Sequence, residues 1–220
     1  MAYVDFISTV HERTRRDYLA RVNEFPKEQA AEIAKRFDRE YWDGDRRFGY
    51  GGYRYDGRWR KVADALREHY GLRAGDRVLD VGCGKGFLLY DLTQSVPGIE
   101  VAGIDVSRYA LENARAEVRG ALQEGSASQL PYADDTFDLV ISINTLHNLR
   151  CYDLERALRE IERVGRRDKY ICVESFRNEL ERVNLFYWQL TCESFHAPDE
   201  WEWWFERAGY RGDHSFIFFE

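Results

Sequence analysis

A short apolar run leads directly into three alternating glycines near the middle of the chain. The sequence reads VLDVGCGKG over residues 78–86, so that Gly82, Gly84 and Gly86 follow a predicted buried strand. Glycines at such a bend let the backbone approach a ligand that a Cβ atom would block, and the helix that follows offers unpaired N–H groups. The motif therefore predicts a small-molecule site at the end of this strand.

Asp80 stands just before these glycines and narrows the choice of ligand. The GxGxG spacing lacks the extra residue of the GxGxxG fingerprint that is typical of pyrophosphate binding. A carboxylate here would also repel a pyrophosphate, whereas it would attract an ammonium or sulfonium group. We therefore expect a positively charged ligand, which argues against an NAD-dependent oxidoreductase.

A second carboxylate, Asp105, ends the next predicted strand, in the sequence GIDVS. It lies about 20 residues past the glycine loop, where an acid can accept hydrogen bonds from both hydroxyls of an adenosine ribose. NAD and S-adenosylmethionine both carry this free diol. Asp105 thus predicts a nucleoside without choosing between the two.

Two residues at later strand ends could take part in proton transfer. His147 follows the fourth predicted strand in NTLHNL, and a neutral imidazole suits removal of a proton from an amine or hydroxyl near pH 7. Packing at a helix start is an equally good interpretation of this histidine. Glu174 ends the fifth predicted strand and could bind a substrate amine or hydroxyl; the alternative is a salt-bridged acid at the rim.

The elements that must position these residues alternate between strand and helix over residues 58–176. Short apolar runs bounded by glycine and polar residues predict buried strands. The predicted strands lie at 77–83, 100–107, 121–128, 137–145 and 170–176, with a last one at 215–220. Helical periodicity separates them. This rhythm predicts an α/β fold with a doubly wound, mostly parallel sheet.

The first 60 residues differ from this pattern. Tyr3, Phe6, Ile7 and Val10 recur at helical spacing, and Pro26 predicts the start of another helix. A stretch dense in glycine and aromatic residues follows, which predicts a loop. The sequence therefore divides into a helical, aromatic extension over 1–60 and a main domain over 61–220.

Composition excludes several classes of protein. The 220 residues carry 32 Lys and Arg against 39 Asp and Glu, a net charge of −7. Proteins that bind the phosphates of nucleic acid usually have an excess of basic residues, so this balance argues against a nucleic-acid-binding protein. No apolar run reaches the roughly 18 residues of a membrane span, and the N-terminus does not resemble a secretory signal, so we expect a cytoplasmic protein. The 4 cysteines form no CxxC pair, which predicts free thiols and no metal site.

These motifs together resemble the class I S-adenosylmethionine-dependent methyltransferases, in particular the type 11-like branch that acts on small molecules. The match consists of VLDVGCGKG, GIDVS and the stretch 124–149, and it covers about residues 60–176. The resemblance implies a Rossmann-like, seven-stranded sheet with the cofactor across the carboxyl ends of the first, second and fourth strands. Because so few residues follow the last predicted helix, we expect the sheet to be one strand short.

The resemblance also implies which residues bind S-adenosylmethionine. Asp80 would lie near the methionine part, Asp105 would hold the ribose with Val106 packed on adenine, and Asn144 would face the methionine amino group. Ser126 stands at the adenine edge where many relatives carry an acid. The full predicted cofactor set is Asp80, Gly82, Cys83, Gly84, Gly86, Asp105, Val106, Ser126, Ala127, Asn144, Tyr53 and Arg58.

The loop at 41–59 is expected to fold over this cofactor as a lid that keeps water from the sulfonium centre. Tyr53 and Arg58 would then contact the cofactor, and Arg58 could pair with the methionine carboxylate. The alternative is a strap with purely structural aromatic residues. Residues 177–197 are interpreted as an insertion on the substrate side.

The sequence thus predicts methyl transfer to an oxygen or nitrogen of a small molecule. The sulfonium carbon is already electrophilic, so alignment supplies much of the acceleration; His147 is the first candidate base and Glu174 the second. The basic, aromatic extension suits an anionic or sugar-like acceptor and offers a surface for a homodimer. Two alternatives stay open, a non-catalytic cofactor-binding partner and a methyltransferase acting on protein or RNA. ISINTLHNL in place of an NPPY-like tetrad weakens the latter.

Overall fold

The computed structural model describes residues 1–8, 10 and 17–220, and these residues form one six-stranded sheet. The strands are β1 (Arg77–Val81), β2 (Glu100–Asp105), β3 (Leu122–Glu124), β4 (Phe137–Ile143), β5 (Gly165–Glu174) and β6 (Asp213–Ile217). Their order is β3-β2-β1-β4-β5-β6, and each neighbouring pair is parallel. The doubly wound parallel sheet is therefore confirmed, with one strand fewer than seven in the described residues.

Helices cover both faces of the sheet. They are α1 (Tyr18–Glu24), α2 (Lys27–Ala34), α3 (Arg39–Trp42), α4 (Arg60–Tyr70), α5 (Phe87–Ser95), α6 (Arg108–Glu112), α7 (Cys151–Val164), α8 (Glu179–Trp188) and α9 (Pro198–Ala208). Alternate strand residues point to opposite faces: Leu79 packs with α7 and α9, whereas Val78 packs with α4 and α5. The strands read as continuous apolar runs because both faces are buried.

Local sequence signals fix several of the helix ends. The Ser107 side chain accepts from the backbone N–H of Ala110 and so caps α6, while Gly71 and Gly209 end α4 and α9 in the left-handed conformation. α7 begins at Cys151, and Asp153 lies within its first turn, where its charge favours the helix dipole.

The helix expected over residues 3–10 does not form among the described residues of that segment. Tyr3 instead makes a parallel bridge to His214 on β6, with the Val4 N–H donating to the His214 carbonyl at 2.9 Å. Phe6 and Ile7 are buried in the core beneath the sheet. An edge strand offers unpaired backbone groups, and pairing with them prevails over the apolar spacing that predicted a helix.

The strand order reverses between β1 and β4. The chain leaves β1 toward β2 and β3, then returns to β4 on the other side of β1. A crevice opens at such a switch point, outside the carboxyl ends of the strands. The fold therefore places the glycine loop, Asp105 and the end of β4 around one crevice. Within the described ranges, no helix combines the length and apolar character that crossing a membrane requires.

Candidate active site

A cleft of about 1160 Å³, open to solvent at its mouth, lies at this switch point. Its wall brings together most of the residues predicted to bind the cofactor. These are Tyr53, Asp80, Gly82, Cys83, Gly84, Asp105, Val106, Ser126, Ala127 and Asn144. Gly86 does not line the cleft; it is the N-cap residue of α5. The structure thus gathers residues from four strand ends and the N-terminal extension into one site.

The glycine loop forms the floor of the cleft and has no room for side chains. Gly82 has φ +85°, and a Cβ there would lie 1.9 Å from Thr145 Oγ1. Gly84 has φ +53°, and a Cβ there would lie 2.9 Å from the Trp42 ring. Both positions favour glycine for its conformation as well as its size. A ligand on this floor would contact bare backbone, as predicted.

Asp80 is a buried carboxyl group without a cation. It is 5% exposed, and burial together with the nearby charge of Asp105 raises its pKa to about 7. Among the described residues, no side chain forms an ion pair with it. A buried acid of this kind is unfavourable as an anion until a positive group arrives. Asp80 therefore fits the ammonium and sulfonium groups of S-adenosylmethionine.

Asp105 faces the same cleft from the end of β2. Burial raises its pKa, opposed by hydrogen bonds from the backbone N–H groups of Ser107 and Gly84, which donate at 2.8 and 2.7 Å. A carboxylate has about four acceptor positions. The bond from Gly84 joins the carboxylate to the glycine loop, and the bond from Ser107 joins it to the start of α6. Its remaining acceptor capacity suits the hydroxyls of a ribose. Val106 beside it is 55% exposed and offers an apolar surface at the cleft.

Asn144 follows β4 in a left-handed conformation with φ +57°, which asparagine tolerates better than most residues. Its buried Oδ1 has no hydrogen-bond partner within the described ranges, and neither does that of Asn148. Both residues line the cleft. An unpartnered buried acceptor favours a ligand that donates. On the opposite side, the Ser126 hydroxyl bonds to that of Ser128.

Aromatic residues before and within the predicted loop cover the cleft. The buried Trp42 indole donates to Ser107 Oγ at 2.7 Å and to the Phe37 carbonyl at 3.1 Å. Its ring stacks on Tyr50 at 5.3 Å, and Tyr53 stacks on Phe87 at 4.9 Å. We call residues 37–59 the cover segment. Six of its aromatic residues line the cleft: Phe37, Tyr41, Trp42, Tyr50, Tyr53 and Trp59.

Lys85 ties the cover segment to the glycine loop. Its ammonium donates to both carboxylate oxygens of Asp43 at 2.8 and 2.7 Å and to the Tyr53 carbonyl at 2.9 Å. Burial would raise the pKa of Asp43, but hydrogen bonds from Lys85 and Tyr109 hold it below its usual value. The side chain of Lys85 is only 6% exposed. This pair therefore orders the cover over the site.

Replacing Lys85 with methionine is expected to lower the free energy of unfolding by about 2–3 kcal/mol. Loss of one partner leaves Asp43 partly buried without its cation, a cost reduced by the exposure of that carboxylate. Urea denaturation followed by far-ultraviolet circular dichroism measures the change. Lys61→Met on the exposed side of α4 is the matched control and should change stability by less than about 0.5 kcal/mol. Equal stability of the two variants would show that the ion pair does not hold the cover.

A second cavity of about 910 Å³ adjoins the cleft. Tyr41, Tyr50 and Asn144 line both spaces. The remaining wall is polar and basic, and it is formed by Arg21, Arg46, Gly49, Arg58, His147, Glu174, Trp188, Gln189, Leu190, Thr191, Ile217 and Phe219. Residues of the 177–197 segment thus contribute directly to it.

The two predicted catalytic residues meet in this second cavity. His147 Nε2 lies 3.6 Å from Glu174 Oε2, and Gln189 donates a hydrogen bond to the same carboxylate. Burial lowers the pKa of His147 to about 3, so the imidazole is neutral at pH 7. Its Nδ1 has no partner among the described residues. Protonating His147 is therefore costly, which argues against this imidazole as the general base.

Arg58 lies apart from the cofactor cleft. Its guanidinium pairs with the Asp56 carboxylate at 2.5 Å, and it lines the second cavity only. Contact with a methionine carboxylate stays a prediction. Sequence reasoning missed Trp42, Thr145 and Asn148. The aromatic pair Tyr41 and Trp42, which opens the predicted loop at 41–59, was the available signal for Trp42. Nothing in the sequence marked the other two.

Comparisons with known proteins agree with this geometry. A family model described as a methyltransferase domain matches residues 72–209. The chain is 34% identical over 145 residues to a demethylmenaquinone methyltransferase of Symbiobacterium thermophilum, covering 60% of this chain and 57% of the relative. It is 32% identical over 149 residues to the chloroplastic 2-methyl-6-phytyl-1,4-hydroquinone methyltransferase 1 of Oryza sativa subsp. japonica, covering 65% and 42%. The chain spans about half the length of these curated relatives.

Solved structures resemble the chain in the same way. The YcgJ protein of Bacillus subtilis superimposes with a TM-score of 0.54 at 23% identity, covering 66% of each chain. At this identity the likeness concerns the fold alone. It supports the parallel sheet and its strand order, which place the cleft at the carboxyl ends of the strands.

Proposed function

Because the chain belongs to the methyltransferase domain family, we propose that it transfers a methyl group from S-adenosylmethionine to an oxygen or nitrogen atom of a small molecule. The observation that carries this proposal is the buried Asp80 carboxyl, which faces a glycine floor and has no cation among the described residues. Such a group is costly unless a positively charged ligand occupies the cleft. The proposal therefore rests on the electrostatics of the cleft as well as on family membership.

In the proposed mechanism each part of the cleft has its own task. When bound, S-adenosylmethionine supplies an electrophilic methyl group on a sulfonium centre. Asp80 attracts the charged end of the ligand, and Asp105 accepts from the ribose hydroxyls. Trp42 and Tyr50 exclude water from the floor, which strengthens both interactions. The protein thereby aligns the reacting groups, and alignment alone can supply a large part of the rate.

The acceptor is proposed to enter the second cavity. Asn144 lies at the junction of the two spaces, so a molecule in the second cavity can reach the end of the first. The relatives are named as a demethylmenaquinone methyltransferase and a 2-methyl-6-phytyl-1,4-hydroquinone methyltransferase, which supports a small acceptor that carries a hydroxyl group. Glu174 would take the proton from an acceptor hydroxyl, with neutral His147 beside it to hold the carboxylate in place.

Glu174→Gln is expected to lower kcat by about 10²–10⁴, the usual contribution of a general base. The affinity for S-adenosylhomocysteine should change little, because Glu174 lines the second cavity and not the cofactor cleft. Steady-state kinetics and calorimetry separate the two effects. Glu179→Gln, at an exposed position of α8, is the control and should leave kcat intact. A Glu174→Gln enzyme with normal kcat would remove the base from the mechanism.

The proposed function is tested first on the cofactor and then on the acceptor. Purified protein should carry S-adenosylhomocysteine detectable by mass spectrometry, and calorimetry should show binding of that compound but not of NADH. Labelled S-adenosylmethionine with a panel of phenols, hydroxy acids and amines then tests transfer. Binding of the cofactor without transfer to any acceptor, including total protein and RNA, would favour the non-catalytic alternative.

Two further expectations join the proposal. We propose that the protein works in the cytoplasm and that the aromatic N-terminal segment contributes to a homodimer. Sedimentation of the full chain at several concentrations tests the dimer, and a single monomeric species would exclude it.

A further inference from the structure

We propose that the junction of the two spaces selects a methyl acceptor with two neighbouring hydrogen-bond donors: the hydroxyl that receives the methyl group and, on the adjacent carbon, a second hydroxyl or an amino group. Asn148 would accept the hydrogen bond from this second donor. The inference rests on the proposed function, since it names the class of methyl acceptor for the same site.

The first step is a group of buried hydrogen-bond acceptors on the segment that follows β4. Oδ1 of Asn144, Nδ1 of His147 and Oδ1 of Asn148 are buried, and none of them has a hydrogen-bond partner among the described residues. Folded proteins satisfy the great majority of their buried polar groups. Three such atoms within five consecutive residues therefore indicate a ligand that donates hydrogen bonds.

The second step is the orientation of these side chains. Asn148 Nδ2 donates to the Asn144 carbonyl at 3.4 Å, and the reverse orientation of the amide would place two acceptor oxygens together. Oδ1 of Asn148 is therefore turned away from that carbonyl. His147 Nε2 lies 3.6 Å from a Glu174 carboxylate oxygen, which favours the tautomer with its proton on Nε2 and leaves Nδ1 as an acceptor.

The third step is the place of this segment between the two spaces. Asn148 lines the cleft, His147 lines the second cavity, and Asn144 lines both. A 3₁₀ turn over Leu146–Asn148 keeps these residues close together. A methyl acceptor whose reacting hydroxyl lies at Glu174 would thus have its next atoms beside the segment. A donor on the adjacent carbon is the shortest extension that can reach Asn148.

The fourth step is the discrimination that such an amide oxygen provides. A methyl acceptor without the second donor leaves Asn148 Oδ1 unpartnered, and one with an ether oxygen at that place sets lone pairs against lone pairs. Sites built to bind a donor reject analogues that lack it, because the buried polar group of the site then stays unpaired. The junction should therefore distinguish a vicinal diol or amino alcohol from its methyl ether.

The test uses four matched probes in the presence of saturating S-adenosylhomocysteine: phenol, catechol, 2-aminophenol and guaiacol, the monomethyl ether of catechol. We expect catechol or 2-aminophenol to bind at least about tenfold more tightly than phenol, equal to about 1.4 kcal/mol. Guaiacol should bind no more tightly than phenol. Calorimetry measures each affinity, and comparison of catechol with 2-aminophenol distinguishes a second hydroxyl from an amino group.

Variants of Asn148 test whether this residue is the source of the preference. Asn148→Leu has a similar size but no hydrogen-bond acceptor, and it should remove most of the preference for catechol over phenol. Asn148→Asp keeps an acceptor oxygen and should keep part of the preference. Asn23→Leu, at an exposed position of α1 outside both spaces, is the matched control and should bind all probes as the unmodified protein does.

Several results would overturn the inference. Equal binding of all four probes to the unmodified protein, or no binding of any probe up to about 10 mM, would exclude the subsite without the need for a variant. A preference that persists in Asn148→Leu would remove this residue from it. Loss of S-adenosylhomocysteine affinity in Asn148→Leu would assign Asn148 to the cofactor instead. In each of these cases the unmodified protein still binds the cofactor, so this failure is distinguishable from failure of the proposed function.

Discussion

Asp80→Asn is expected to weaken binding of S-adenosylhomocysteine at pH 8 by about 100-fold, and at the same time to raise the melting temperature of the ligand-free protein. The loss of affinity follows from removal of a desolvated charge that faces the ligand ammonium, an interaction worth roughly 2–5 kcal/mol. Because Asp80 has no cation among the described residues in the ligand-free protein, its charge serves the ligand and not the fold.

The gain in stability follows from the sign of the pKa shift. Burial and Asp105 raise the pKa of Asp80 to about 7, above the usual 3.8. Between these values the folded protein binds more protons at this site than the unfolded chain, so the unfolding free energy falls as pH rises. This loss of unfolding free energy is complete above about pH 7. Asparagine never ionises, although its amide also needs partners, and we expect a net gain of ~2 kcal/mol, or roughly 4–8 °C.

The same shift predicts that cofactor affinity depends on pH. Below about pH 7 the free protein holds Asp80 in its protonated form, and binding of a positive ligand must release that proton. Affinity should therefore rise with pH toward 7 and then level off, with proton release detectable by calorimetry in buffers of different ionisation enthalpy. Asp80→Asn should abolish the proton release.

Asp76→Asn provides a matched control, since Asp76 is also buried but lies at the opposite end of β1 and pairs with arginines. Its cofactor affinity should equal that of the unmodified protein. If Asp80→Asn binds S-adenosylhomocysteine normally and melts at an unchanged temperature, the electrostatic basis of the site is wrong.

The sequence was sufficient for the sheet and for the floor of the cleft because both depend on local patterns. Buried parallel strands are continuous apolar runs, and the glycine loop and Asp105 follow two of them directly. These features need no knowledge of distant contacts.

The sequence predicted a loop at 41–59 that folds over the cofactor, but not the contacts that hold the cover segment, because these contacts join residues far apart in the chain. Trp42 bonds to Ser107, and Lys85 bonds to Asp43; neither pair is marked by a spacing rule. The burial of a side chain also depends on residues far away in the chain. His147 looked like a base titrating near pH 7, whereas its surroundings lower its pKa to about 3. Tertiary packing decides such properties.

Gly82→Ala is expected to abolish cofactor binding and to lower the free energy of unfolding by about 2–5 kcal/mol. The positive φ of +85° costs a residue with a Cβ about 1–2 kcal/mol, and a methyl group 1.9 Å from Thr145 Oγ1 adds about 1–3 kcal/mol by overpacking. Relief of this clash would move the loop that follows β1, and with it the floor of the cleft. Thermal denaturation and calorimetry with S-adenosylhomocysteine measure both effects.

Two further variants separate conformation from collision at this position. Gly71 has a similar positive φ of +60°, but no atom lies within 4 Å of a Cβ added there. Gly71→Ala should therefore lower the free energy of unfolding only by the backbone strain, roughly 1–2 kcal/mol, and keep full cofactor affinity. Thr145→Gly combined with Gly82→Ala removes all three colliding atoms, Oγ1, Cγ2 and Cβ of Thr145. If collision dominates, the double variant regains part of the stability and binding; if it stays as impaired as Gly82→Ala, the left-handed backbone of the loop itself is what the cofactor site requires.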